Sequence, residues 1–214
     1  MQSNRTARPS RTCHGFTLIE LTVVLAVIVT LALILTPAIT NYMNDARTSR
    51  SRSDVQTLST AITQFNKDTG FFPQWSAANN GGPGLPGNRV DVLVSSGNVP
   101  TSEQQTLWIT GNIDTLSNQL VANAPGYTVR TATSNFGWNG PYLSSTIGAD
   151  AWGNRYMVNV GLLDATIGVQ TAAGSLKSAV WVISAGPNGA IETLYTQPTT
   201  TAVPGGDDIF VRLQ

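Results

Sequence analysis

The chain has 214 residues with twelve basic and twelve acidic side chains, and charged residues make up 11% of it, against about 25% in an ordinary globular protein. A formal charge of zero supplies no global field to attract nucleic acid, and a single Cys with a single His excludes an internal disulfide and an ordinary zinc site. The length suits one modest domain plus an appendage.

Arg5, Arg8 and Arg11 lead into Cys13-His14-Gly15-Phe16-Thr17-Leu18-Ile19-Glu20-Leu21. From 16 to 39 the chain is apolar apart from Glu20 and scattered threonines. As a helix those residues extend for about 36 Å, enough for a hydrocarbon core of about 30 Å. A secretory signal peptide has a shorter apolar stretch that ends at a small-residue cleavage site. A lipoprotein reading of Cys13 fails, because Pro9-Ser10-Arg11-Thr12 is not an apolar run. An acid inside a membrane span is expensive and is retained where something pairs with it, which singles out Glu20. Pro37 removes the hydrogen bond to the Leu33 carbonyl and adds a ring clash, so a kink is expected there. The arginines at the two ends of the span, Arg5, Arg8 and Arg11 against Arg47, Arg50 and Arg52, leave its orientation a draw.

Past the span, Val55, Leu58, Ile62 and Phe65 recur at steps of three and four, so the helix continues over 40–67 with one face for a core. Asp68-Thr69-Gly70 ends it, since glycine readily takes the left-handed cap conformation, and Phe71-Phe72-Pro73 leaves in extended form. Residues 81–87 are a Gly-Pro loop without the Lys-Ser/Thr of a phosphate-binding loop. Residues 102–109 read as a short helix capped by Thr101 or Ser102. Residues 155–160 read as a strand, 179–183 as a buried central strand, and Ile209, Val211 and Leu213 as the inner face of a half-buried one. A long helix followed by strands is an α+β fold, the helix lying across an antiparallel sheet.

Four separated passages carry a resemblance: the junction at Gly15-Phe16 with Glu20, Phe65-Asn66-Lys67-Asp68-Thr69-Gly70-Phe71-Phe72-Pro73, Trp138-Asn139-Gly140-Pro141-Tyr142-Leu143, and Asp150-Ala151-Trp152-Gly153-Asn154-Arg155-Tyr156. In this order they resemble type IV prepilins, and most of all the major pseudopilin of type II secretion. The resemblance implies a pilin-like fold with a leader over 1–15, a transmembrane and polymerisation helix over 16–39, its amphipathic continuation over 40–67, and a periplasmic globular domain over 68–214. It implies cleavage after Gly15 by a prepilin peptidase, N-methylation of Phe16, and self-association into a helical filament. In that filament Glu20 faces the Phe16 amine of a neighbour, and the helix loosens at Pro37. The implied partners are an inner-membrane secretion or pilus assembly platform and membrane lipids, with no nucleic acid. The implied location is the bacterial inner membrane, single-pass, with the globular domain in the periplasm. Major pseudopilins bind calcium in their last loop; Asp207 and Asp208 match that element, and Asn188 stands where related sequences often have aspartate.

Cleavage after Gly15 removes three arginines together with the Cys and the His, leaving nine basic and twelve acidic side chains. The mature chain then has no thiolate and no imidazole, and is expected not to be an enzyme. A hydrolase built on it would depend on carboxylates such as Glu192, Asp207 or Asp208. The alternatives within the filament class are a minor type IV pilin for adhesion or DNA uptake, and a filament-displayed binding module using Trp75, Trp108 or Trp138 as stacking surfaces.

Overall fold

The structure, a computed structural model, describes residues 15–76, 89–102, 107–162 and 178–213. The expected leader up to His14, the Gly-Pro loop at 81–87 and the first half of the expected helix at 102–109 lie outside the described residues. The chain forms two compact units, Met1–Asn44 and Asp45–Gln214. One helix, α1 (Leu18–Thr69), contributes to both.

In the first unit every described residue is exposed. The helix there carries an 18-residue window of mean hydropathy 2.9 with none of it buried, long and apolar enough to cross a membrane. Pro37 lies inside α1, which is assigned as one continuous element. Around it, the Thr36 hydroxyl donates to the Ala32 carbonyl at 2.7 Å and the Thr40 hydroxyl to the Thr36 carbonyl at 3.0 Å. Such local bonds satisfy hydroxyls where no water is at hand.

The second unit is built on the predicted stripe. Val55, Leu58, Ile62 and Phe65 are all fully buried. They pack with Leu93, Val158 and Val182 of the sheet and with Tyr156 and Val180 beside it. The helix stops as expected: Gly70 has φ 82°, and its N–H donates to the Asn66 carbonyl at 2.8 Å. Glycine takes this conformation without the Cβ clash that other residues meet.

Among the described residues the sheet has five strands: β1 (Val92–Val94), β2 (Ile113–Thr115), β3 (Met157–Val158), β4 (Trp181–Ser184) and β5 (Ile209–Arg212). Their order is β2-β1-β3-β4-β5. The α+β class holds, and β1, β3, β4 and β5 pair antiparallel. The expectation of a wholly antiparallel sheet needs correction at one edge, where β1 and β2 run parallel with Val92 opposite Ile113. A parallel pair requires a crossover, and the chain makes it through α2 (Leu107–Thr110). Thr101 forms a bridge with Ala190. A further short helix, α3 (Leu116–Leu120), is capped by the Thr115 side chain, which accepts from the Asn118 N–H. The described residues of 74–135, hard to read in sequence, thus supply two strands and two short helices.

The other strands shift slightly from expectation. β3 is shorter than 155–160, because Val160 already belongs to a 3-10 turn over Val160–Leu162. β3 holds the middle of the sheet, and β4 lies between it and β5. In β5, Ile209 is buried, while Val211 and Leu213 pack at the edge of the helix-side core.

Both sheet faces are covered. Val180 and Val182 face the helix-side core, whereas Trp181 and Ile183 join Val92, Met157, Trp108, Ile191 and Tyr195 on the other face. A strand covered on both sides reads as a continuous apolar run, which is why 179–183 does not alternate. The second face is closed by the C-terminal loop: Trp108 Nε1–H donates to the Thr193 carbonyl at 3.0 Å, and the Tyr195 hydroxyl to the Asp91 carbonyl at 3.0 Å.

Two polar devices fix the remaining segments. Asp150 Oδ1 accepts from the N–H groups of Trp152 and Asn154 at 2.9 and 2.8 Å, and its Oδ2 from the Ser184 hydroxyl at 2.6 Å. That turn is tied to α1 through Tyr156, whose hydroxyl donates to Asp54 Oδ2 at 2.8 Å. Near the helix exit, the fully buried Gln119 donates to the Trp75 carbonyl at 2.6 Å and to Asp114 Oδ2 at 2.8 Å, and accepts from the Tyr127 hydroxyl at 2.6 Å. Buried polar groups are tolerated when paired in this way.

Candidate functional site

The residues singled out in sequence fall at two places, the start of α1 and the last loop. Gly15 and Phe16 precede the helix and are exposed, Phe16 at 89%. Thr17 stands directly before the first helical residue, Leu18. Its N–H donates to Glu20 Oε2 at 2.9 Å, and its hydroxyl donates to the same oxygen at 2.9 Å. In return the Glu20 N–H donates to Thr17 Oγ1 at 3.3 Å. This is a reciprocal capping box, Thr at the cap and Glu three residues on, which satisfies two otherwise orphaned donors of the first turn. Sequence reasoning found Glu20 but passed over Thr17, although a Thr-x-x-Glu spacing before an apolar run is a legible signal.

The last loop does not gather its three expected ligands at one point. Asp208 turns inward, its Oδ2 accepting from the Glu192 N–H at 3.0 Å, the Thr193 N–H at 2.7 Å and the Thr193 hydroxyl at 2.6 Å. Its Oδ1 is buried without a hydrogen-bond partner. Burial pushes the Asp208 carboxyl up to about 6, against the pull of its bonds to Thr193 and Glu192. Asp207 Oδ2 accepts from the Asn188 N–H at 3.1 Å, so these two residues do meet. The Asn188 side chain, however, accepts from the Ala190 N–H at 2.7 Å and caps its own turn. Glu192 enters instead: its Oε2 accepts from the Asp207 N–H at 3.2 Å. Nothing in the spacing of the chain marks Glu192 as a neighbour of Asp207.

Glycine permits this arrangement. Gly186 has φ 63°, and a Cβ there would strike the Asp207 carbonyl; Gly206 has φ 46°, and a Cβ there would strike the Glu192 carboxylate. As a test of fit for calcium, the donor chemistry is right: oxygen only, with one buried Asp208 oxygen left over. Among the described residues no group of three His, Cys, Asp or Glu side chains is placed to hold a metal ion.

Two of the three tryptophans considered as stacking surfaces are taken up by the core. Trp75 and Trp108 are buried, and Trp138 is half-buried with its ring edge-on to Tyr142 at 5.8 Å. Their indoles fill the core, the commoner use of a large apolar side chain. A shallow recess of about 360 Å³ is lined by Gln56, Thr57, Thr60, Ala61, Gln64 and Tyr142, a set without a carboxylate or imidazole for acid–base work.

The family pattern described as the prokaryotic N-terminal methylation motif matches residues 10–36. No curated protein and no solved structure matches the chain. The matched segment contains the Gly15-Phe16 junction and the capping box, and runs to the residue before Pro37. It supports a type IV prepilin-like N-terminus, and it points to a structural subunit. Such a motif implies processing by a prepilin peptidase and assembly into a filament, and with the exposed apolar helix it fits a membrane-anchored protein.

Proposed function

We propose that this chain is a subunit of a pseudopilus serving type II protein secretion. It is cut after Gly15, methylated on the new Phe16 amine, and polymerised through residues 16–39. The observation that carries the reading is the methylation motif over 10–36 joined to an apolar first half of α1 that is exposed throughout and whose one acid up to residue 39, Glu20, lies in the first turn. An apolar surface of that length has two stable destinations, a bilayer before assembly and a filament core after it.

The chemistry of assembly follows from the charges. Cleavage creates a cationic amine at Phe16, and a neighbouring subunit shifted along the axis presents that amine to Glu20. A filament core has a low dielectric, so the attraction there is far stronger than in water, and it offsets desolvation only when both charges are satisfied. In this reading the second unit stands in the periplasm, and lipids and an inner-membrane assembly platform are the partners before polymerisation. Adhesion, DNA uptake and a minor position in the filament are competing roles for the same subunit chemistry. The resemblance of the 65–73, 138–143 and 150–156 passages to the major pseudopilin favours secretion.

Calcium in the last loop is part of the proposal. The reading rests on the resemblance of Asp207, Asp208 and Asn188 to that loop in major pseudopilins, and the ion would neutralise a loop in which one buried Asp208 oxygen has no donor.

Intact mass of the membrane-extracted chain, co-expressed with its peptidase, tests the reading. The expected mass is that of residues 16–214 plus one methyl group, and Gly15→Ala leaves the leader attached. A cut beyond residue 39 makes the apolar run a signal peptide and removes the filament reading.

A further inference from the structure

Three of the nine basic side chains left after cleavage at Gly15 stand in a stretch of six residues: Arg47, Arg50 and Arg52. All three are exposed on α1. Arg47 and Arg52 make no ion pair with a described residue. Arg50 approaches Asp54 loosely, Nε to Oδ2 at 3.7 Å, and that oxygen already accepts from the Tyr156 hydroxyl. Exposed pairs of this kind contribute little to a fold, so the folded subunit itself gives these charges little to do.

Their place along the chain gives them a partner. The apolar run over 16–39 is exposed throughout. Tyr42 follows, 76% exposed, and is the only aromatic residue between Phe16 and Phe65. Aromatic rings collect where hydrocarbon meets water. From Phe16 to Tyr42 is about 39 Å as helix, close to the roughly 40 Å of a bilayer with its headgroups. The arginines begin five residues later. Helical side chains tilt toward the N-terminal end, so these stems lean back toward the headgroups, and a long apolar stem with a charged tip suits that reach.

Their directions favour a lipid surface over a protein neighbour. At 3.6 residues per turn, Arg47 and Arg52 project about 140° apart, and Arg50 lies about 60° from Arg47 on the side away from Arg52. Ser51 and Val55, both fully buried, occupy the arc between Arg47 and Arg52. The charges therefore flank the buried face of the helix on both sides. A neighbouring subunit would meet one flank, whereas a headgroup layer surrounds the helix and meets every one.

We infer that Arg47, Arg50 and Arg52 bind the phosphates of anionic phospholipids and so fix the depth of the unassembled subunit in the membrane. This rests on the membrane-anchored reading above. A guanidinium fits phosphate oxygens with two parallel hydrogen bonds, and each arginine near an anionic surface favours the contact by about fivefold.

The test uses the chain processed at Gly15, so that the leader arginines do not contribute, reconstituted in phosphatidylcholine vesicles. The vesicles carry a trace of spin-labelled phosphatidylglycerol or of spin-labelled phosphatidylcholine, and the spectrum reads the share of each label slowed at the protein surface. The parental chain should hold phosphatidylglycerol about fivefold more strongly at low salt, and about 1 M salt should remove the preference. Replacing all three together, Arg47→Gln, Arg50→Gln and Arg52→Gln, should also remove it while the thermal melt stays parental. The double variant Arg47→Gln with Arg52→Gln keeps the Arg50–Asp54 contact and should lose part of the preference, which separates the effect from a folding defect. Equal retention of the two lipids by the parental chain overturns the inference. So does a preference that survives the triple variant; a fall in filament yield in that variant then assigns the arginines to carboxylates of a neighbouring subunit. If neither lipid is slowed, the helix does not cross the bilayer, and the membrane-anchored reading falls together with the inference.

Discussion

At the scale of single residues, Asp208 concentrates the electrostatic strain of the fold. One oxygen takes three donors while the other is buried alone, and the carboxyl is raised from 3.8 to about 6. Between those values the folded state binds more protons than the unfolded state, so stability falls as pH rises through that window and levels off above it. Denaturant melts of the detergent-solubilised chain in chelator should therefore give lower midpoints at pH 7 than at pH 4.5, and Asp208→Asn should flatten this slope. Saturating calcium should remove the slope and raise the melting temperature, if the ion replaces the proton at Oδ1. Gly186 gives a second prediction at this scale. Its positive φ and the adjacent Asp207 carbonyl leave no room for a Cβ, so Gly186→Ala should cost about 1–2 kcal/mol or more in the same melts.

At the scale of elements, α1 is one helix with two kinds of surface. Over its first half the apolar side chains are exposed, Leu25 at 52%, whereas Leu58 is fully buried against the sheet. Leu58→Ala should leave a cavity and cost about 2–5 kcal/mol. Leu25→Ala trims an exposed side chain that lies outside the buried core, so the melt should be unchanged while filament yield falls. Equal effects of the two substitutions on the melt would contradict this division. The helix was legible in sequence because its signals are local: the step of three and four at Val55, Leu58, Ile62 and Phe65, and the glycine stop at Gly70. β3 was less so, because a two-residue strand has no period of its own and is defined by the Leu93 and Ile183 pairings on either side.

At the scale of the molecule, the second unit is a sheet covered on one face by helix and on the other by the loop that runs from Ile191 to Tyr195. The covering loop explains where the tryptophans went: Trp108 and Trp181 lie beneath it. Sequence by itself determined the methylation motif, the apolar span, the buried stripe of α1 and the α+β class, because each depends on residues close together along the chain. Tertiary structure alone decided the parallel pairing of β1 with β2, the inward turn of Asp208 and the meeting of Glu192 with Asp207. Strand direction is set by which way a crossover returns, and a carboxylate's partners by which loop folds over it; both are contacts between segments far apart in the chain, and neither leaves a local periodicity to read.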